Sequence, residues 1–161
     1  MLRRILGALW RRAPKRLRRW SVRLVEPRFT VSAGAVVLNE QGHLLLLKHV
    51  FRMGSGWGVP GGFIEKGEQP DEAIRRELRE EVGLELESAE IALVRTIKRS
   101  KHLEIIFRCR SRGTAKPRSR EIKSASWFAL DQLPPQLDQA QRDLIKRALK
   151  SRDEGGGVRD E

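Results

Sequence analysis

Apolar positions along residues 28 to 50, RFTVSAGAVVLNEQGHLLLLKHV, fall into two short runs separated by the polar NEQG. Runs of that length bounded by turn residues predict two β-strands joined by a hairpin. RMGSGWGVPGG then predicts a glycine-rich loop. From 70 to 82 the period lengthens. Ile74, Leu78 and Val82 recur every fourth position and predict one apolar stripe on a helix. Pro70 suits the first helical position, and Gly83 suits the left-handed stop beyond the end. IALVRTIKRS and HLEIIFRCR predict two strands with a basic turn between them. RGTAKPRSRE predicts a polar loop, and SASWFAL a further strand. DQLPPQLDQAQRDLIKRALK predicts a turn and a closing helix with Leu144, Ile145 and Leu149 inward. SRDEGGGVRDE predicts a disordered tail over 151–161.

The first 24 residues differ in kind. Leu2, Ile5, Leu6 and Leu9 share one helical face, Leu17, Trp20 and Leu24 another, and Pro14 separates the two. This stretch holds nine Lys and Arg and no acid, against a formal net charge of +12 for all 161 residues. A basic amphipathic arm, 1–28, therefore precedes a nearly balanced domain, 29–150. Chemistry and attachment are separate questions in such a chain. The arm fits three roles: helices packed on the domain, a surface for anionic lipid, or a contact for RNA. Its scarcity of serine argues against a transit peptide, and the arginines that interrupt its apolar stretch argue against a secretory signal. No apolar run approaches the roughly 18 residues of a membrane span. The single Cys109 excludes an intramolecular disulfide framework, fits a reducing compartment, and reads as buried filler in a strand. The expected location is the cytoplasm, peripheral to a membrane if the arm binds lipid.

On the helix predicted over 70–82, Glu77, Glu80 and Glu81 fall together beside the apolar stripe. Glu77 and Glu81 are like charges four residues apart, a spacing that costs a few tenths of a kcal/mol in water and more when buried. Arg76 can offset Glu80, which leaves Glu77 and Glu81 unmatched within the helix. A solvated acidic face is the bland reading. A hard divalent cation, Mg²⁺ or Mn²⁺, is the alternative that supplies the missing charge.

Residues 62 to 84 resemble the Nudix box, G-x5-E-x7-R-E-U-x-E-E-x-G-U with U a bulky aliphatic. Gly62, Glu68, Arg76, Glu77, Leu78, Glu80, Glu81, Gly83 and Leu84 fill every defined place. GWGVPGG before the box and WFALDQLP after it are similar to the family's usual flanks, so the likeness spans about 29–150. The resemblance implies an α/β fold, an α/β/α sandwich with a mixed β-sheet, to which the basic N-terminal helical arm is an addition. It implies metal-dependent hydrolysis of a pyrophosphate bond in a nucleoside diphosphate linked to another group. Glu77, Glu80 and Glu81 are the implied ligands for Mg²⁺ or Mn²⁺, with the Gly62 carbonyl an additional one. One of these glutamates, or another in the site, would orient the attacking water. Glu68 and Arg76 are implied to pair and hold the loop against the helix. Gly61 and Gly62 are expected to let main chain approach metal and phosphate.

Outside the box the residues leave alternatives open. Glu121 is an additional site acid or a solvated loop residue, and Glu104 a catalytic acid or an ordinary strand residue. Trp57 and Trp127 anchor packing or stack on a base. Lys98, Arg99 and Lys101 contact phosphate or form a solvated turn. His43, His49 and His102 show no ligand spacing and read as structural or surface residues. Several substrate signatures of the family are absent, including the tyrosine linked with diadenosine polyphosphates, since the chain has no tyrosine. Two rival functions remain: an RNA 5′-end pyrophosphohydrolase that uses the arm, and a Nudix-fold module that binds without turnover. The residues do not indicate an oligomeric state.

Overall fold

The computed structural model describes residues 28–97 and 100–150 together with Pro14. The basic arm, Lys98, Arg99 and the 151–161 tail lie outside the described residues. The order of elements is β1 (Thr30–Leu38), β2 (Leu44–His49), β3 (Trp57–Gly58), β4 (Gly61–Phe63), α1 (Pro70–Val82), β5 (Leu86–Ile97), β6 (His102–Ser111), β7 (Ile122–Phe128) and α2 (Gln139–Lys150).

The strands form one mixed sheet. Its main path runs β3-β2-β1-β6-β5, with β4 added to β1 and β7 to β2. β1 and β6 are parallel along their length, from Thr30 opposite His102 to Leu38 opposite Arg110. The other pairings are antiparallel.

Helices cover both faces, and side-chain alternation divides the strands between two cores. Ala33, Ala35, Val37, Leu45, Leu47, Phe107 and Cys109 pack toward Ala73, Ile74, Leu78 and Val82 of α1. Val36, Leu44, Leu46 and Ile106 pack toward Leu144, Ile145 and Ala148 of α2. The four consecutive leucines of β2 are all fully buried because that strand has a helix on each side. Cys109 is likewise buried, and the apolar environment pushes its thiol up to about 12.

Two features depart from the predicted elements. The glycine-rich loop contains two short strands. At Gly61, φ is 153° and the main chain runs against Ala33 O and Gly34 Cα, where a Cβ has no room. Glycine there lets β4 pair closely with β1. β5 also starts earlier than its apolar run, at Leu86, because shifts in register near Leu86–Ser88 and Ile91–Leu93 break the two-residue period.

Candidate active site

Helix α1 is fixed at both ends. Pro70 begins it, and the Glu72 carboxylate accepts the Gln69 N–H at 2.9 Å. At the other end Gly83 turns left-handed, with φ 71°, and its N–H donates to Arg79 O at 3.0 Å. The 112–121 loop completes that cap. Lys116 N–H reaches Val82 O at 3.0 Å, and Arg118 N–H reaches Glu81 O at 2.8 Å. The Arg118 guanidinium fills the space a side chain on residue 83 would need.

This helix presents three carboxylates in three environments. Glu80 is exposed. Glu77 is half-buried and lies against Gly62, its carboxylate occupying the position of a Cβ there. Glu81 is buried. Burial, and then the charge of Glu77, push Glu81 up to about 8, although the Gly61 N–H and Arg52 pull the other way. Burial also raises Glu77, partly countered by Arg76.

Arg76 is the hub of the polar contacts. Its Nε and Nη2 donate to the two Glu68 oxygens at 2.8 and 3.1 Å, and Nη2 also reaches Phe63 O. Its Nη1 donates to Glu77 Oε1 at 3.0 Å and lies 3.5 Å from Glu80 Oε2. The helical spacing assigned Arg76 to Glu80 and left Glu77 unmatched. The structure corrects this: Glu68 draws the guanidinium toward the preceding loop, which places Nη1 nearer Glu77. Of the three, Glu77 takes a hydrogen bond from the guanidinium, Glu80 only a 3.5 Å ion pair, and Glu81 neither. Glu68, held by Arg76 and by the Glu65 N–H at 2.9 Å, stays below the usual carboxylate range.

Two residues that spacing did not single out complete the region. His49 Nδ1 lies 3.9 Å from Glu81 Oε1, too long for a hydrogen bond. Burial, and then the Arg52 charge, depress His49 to about 4, so it is neutral at neutral pH. Arg52 turns inward to fill the space beside Gly58 and feels the charges of Glu81, Glu104 and Asp138. Burial lowers its pKa, yet a guanidinium stays protonated. His49 Nε2, Arg52 Nη1 and Glu81 Oε2 are all buried without a hydrogen-bond partner. Buried orphans of this kind are costly and demand an explanation.

The remaining candidates separate. Glu121 is exposed at the start of β7, near enough for its charge to raise Glu81. Glu104 pairs with Arg95 at 2.5 Å on the sheet. Trp57 packs edge-on against Phe128, and Trp127 against the α1 core. His102 bonds Thr30 and Ser32, while His43 sits in the β1–β2 turn. Lys101 is exposed.

The donors suit a hard cation: Glu81 has an orphaned carboxylate oxygen and Glu77 is a like-charged neighbour. Among the described residues, no three His, Cys, Asp or Glu side chains already converge as a ligand set. Arg76 on Glu77 supplies positive charge in this arrangement.

A model of the NUDIX domain matches residues 28–148. A MutT-like protein of Streptomyces ambofaciens is 31% identical over 69% of this chain and 71% of its own length. The NAD-capped RNA hydrolase NudC of Pseudomonas aeruginosa is 32% identical over 74% of this chain, which spans only 43% of that protein. The crystal structure of a MutT NUDIX hydrolase from Burkholderia pseudomallei aligns with TM-score 0.65 and 27% identity over 75% of this chain and 98% of the other.

Proposed function

The chain belongs to the Nudix family of pyrophosphate hydrolases, and from that premise we propose that it hydrolyses a nucleoside diphosphate linked to a further group, using Mg²⁺ or Mn²⁺. The observation that carries the reading is Glu81: a buried carboxylate with one orphaned oxygen, beside Glu77 and Arg52. An isolated structural acid has no reason to be built that way.

Glu77, Glu80 and Glu81 hold the cation in this proposal, with the Gly62 carbonyl as a further donor. When bound, the ion neutralises charge on the pyrophosphate oxygens and acidifies water. The chain's own residues do the positioning. Arg76 ties the 63–68 loop to α1 through Glu68 and orients Glu77 over Gly62. The Gly61 N–H orients Glu81. Arg52 offers its unpaired Nη1 to an anionic substrate oxygen, where burial strengthens the contact. His49 excludes water from the Glu81 side.

A panel of nucleoside triphosphates, ADP-ribose, nucleotide sugars, CDP-alcohols and dinucleotides, each with Mg²⁺ or Mn²⁺, tests the reading. Metal-dependent release of a phosphate-bearing product from at least one is expected. Ligand binding without turnover across the panel would replace the hydrolase with a binding module.

A further inference from the structure

The outer edge of the sheet carries apolar residues that the domain leaves open. β5 ends the main strand path, with β6 on one side and no strand on the other among the described residues. Register aligns its side chains with those of β6 and β1. One row runs Ala35–Phe107–Ile91 and the next Ala33–Ile105–Val94. Ala33, Ala35 and Phe107 lie in the core under α1, and Ile105 packs against that core, so both rows lie on the α1 face of the sheet. Cover fails toward the edge: Phe107 is 2% exposed, whereas Ile91 is 62% and Val94 54% exposed. The register shift between Ile91 and Leu93 creates this pair. An extra residue there puts Ile91 and Val94 on one face, while Ala92 and Leu93 pack toward α2.

Single exposed apolar residues are ordinary, but these two are neighbours on an uncharged stretch. From Ala89 onward the α1 face of β5 reads Ala89, Ile91, Val94 and Thr96, without a charge, in a chain of which 34% of residues are charged. The chain's own arm has matching character. Leu17, Trp20 and Leu24 form an apolar stripe among cations. Leu24 stands five residues before Phe29 at the entrance to β1, and five residues reach up to about 17 Å. From β1 to β5 is two strand spacings, about 10 Å. Exposed charge on β5 is confined to Glu87 and Glu90, a sign that suits an arm of nine cations and repels an anionic lipid surface. Charged side chains on an edge also oppose a strand added from another copy, whereas a helix laid over the edge protects it.

We infer that the Leu17–Leu24 segment of the arm docks as a helix on Ile91 and Val94, covering the β5 edge from the α1 side. Its apolar stripe then belongs to the domain and is not free for lipid or RNA. The inference does not depend on the proposed hydrolysis.

The test uses the full chain carrying Val94→Cys, with maleimide labelling followed by mass spectrometry. Cys109 is buried and stays unlabelled. Labelling at 94 should be about tenfold slower with the native arm than with Leu17→Ser/Trp20→Ser/Leu24→Ser. Equal rates with the two arms would overturn the docking. A second measurement leaves position 94 without a thiol. Trypsin cleavage within the arm should be about tenfold faster in Ile91→Asn/Val94→Asn than in the parent, and an unchanged rate would also overturn the docking. Light scattering that gives two chains for the parent and one for the Asn double variant would overturn it in favour of a second copy. Slow labelling that appears only with phosphatidylserine vesicles would overturn it in favour of lipid.

Discussion

The guanidinium of Arg52 occupies the volume that a side chain on Gly58 would take. One glycine on β3 thereby lets a half-buried arginine from the preceding loop turn its guanidinium inward against the sheet, where its charge is felt by Glu81. If Arg52 binds an anionic substrate oxygen, Gly58→Ala should act by displacing Arg52 and not by unfolding the sheet, because the clash is with the far end of a flexible side chain.

Gly58→Ala and Arg52→Ala should each lower kcat/KM by about 10- to 100-fold, the value of a hydrogen bond to a charged group. The double variant should lose no more than either single variant, since both remove one contact. Additive losses in steady-state kinetics would show that Gly58 acts independently of Arg52.

Glu81→Gln should leave the fold intact, as an uncharged isostere of a carboxyl that burial already keeps protonated at neutral pH in the metal-free protein. Turnover should fall by at least ~10²-fold under saturating Mg²⁺, because a charge is removed from the proposed cation site. Near-normal turnover would exclude Glu81 from that site.

The raised pKa of Glu81 gives the metal-free protein a definite pH dependence. The folded state binds the proton more tightly than the unfolded chain, so this group's stabilising contribution is fully present below about 4.5. It declines as pH rises and is lost above about 8. Each pH unit inside that window is worth at most about 1.4 kcal/mol for one group. Chelator-treated protein should melt lower at pH 8 than at pH 6, and Glu81→Gln should flatten the difference. Mg²⁺ added near pH 7 should release a proton, measurable by calorimetry in buffers of different ionisation enthalpy.

Arg76→Ala should lower melting temperature and activity together. It unpairs Glu68, releases the Phe63 carbonyl and leaves Glu77 facing Glu81 without a guanidinium. Reversing the charges at 68 and 76 together should recover part of the stability and little of the activity, because the reversed pair no longer serves Glu77. Activity lost at an unchanged melting temperature would point to a direct substrate contact.

Sequence pattern carried most of α1. Its limits, 70 to 82, its buried stripe and the Gly83 stop follow from local rules of period and capping. The Glu68–Arg76 pairing was implied by the family resemblance, but Glu77's share in it was not, since that depends on where the 63–68 loop returns. His49 and Arg52 were illegible for a different reason. Phe51 and Met53 are strongly exposed while the arginine between them turns inward, the reverse of the usual partition. Three-residue patterns do not encode such an inversion; Gly58, across the sheet pairing, creates the space for it. Likewise the 112–121 segment looked like a polar loop because its task, capping carbonyls of α1, uses backbone N–H groups that every residue but proline possesses.

The parallel alignment of β1 with β6 sets the order in which the protein can be built. Thr30 meets His102, and the partnership continues to Leu38 and Arg110, so a strand made early has its long neighbour supplied only after α1 and β5 have been synthesised. Contacts so distant along the chain slow folding. On the ribosome, β1 and the four leucines of β2 are expected to wait, apolar and incompletely paired, until residues past 111 have emerged. A chain stalled before His102 should be held by chaperones and be sensitive to protease, whereas one stalled well beyond β7 should resist it.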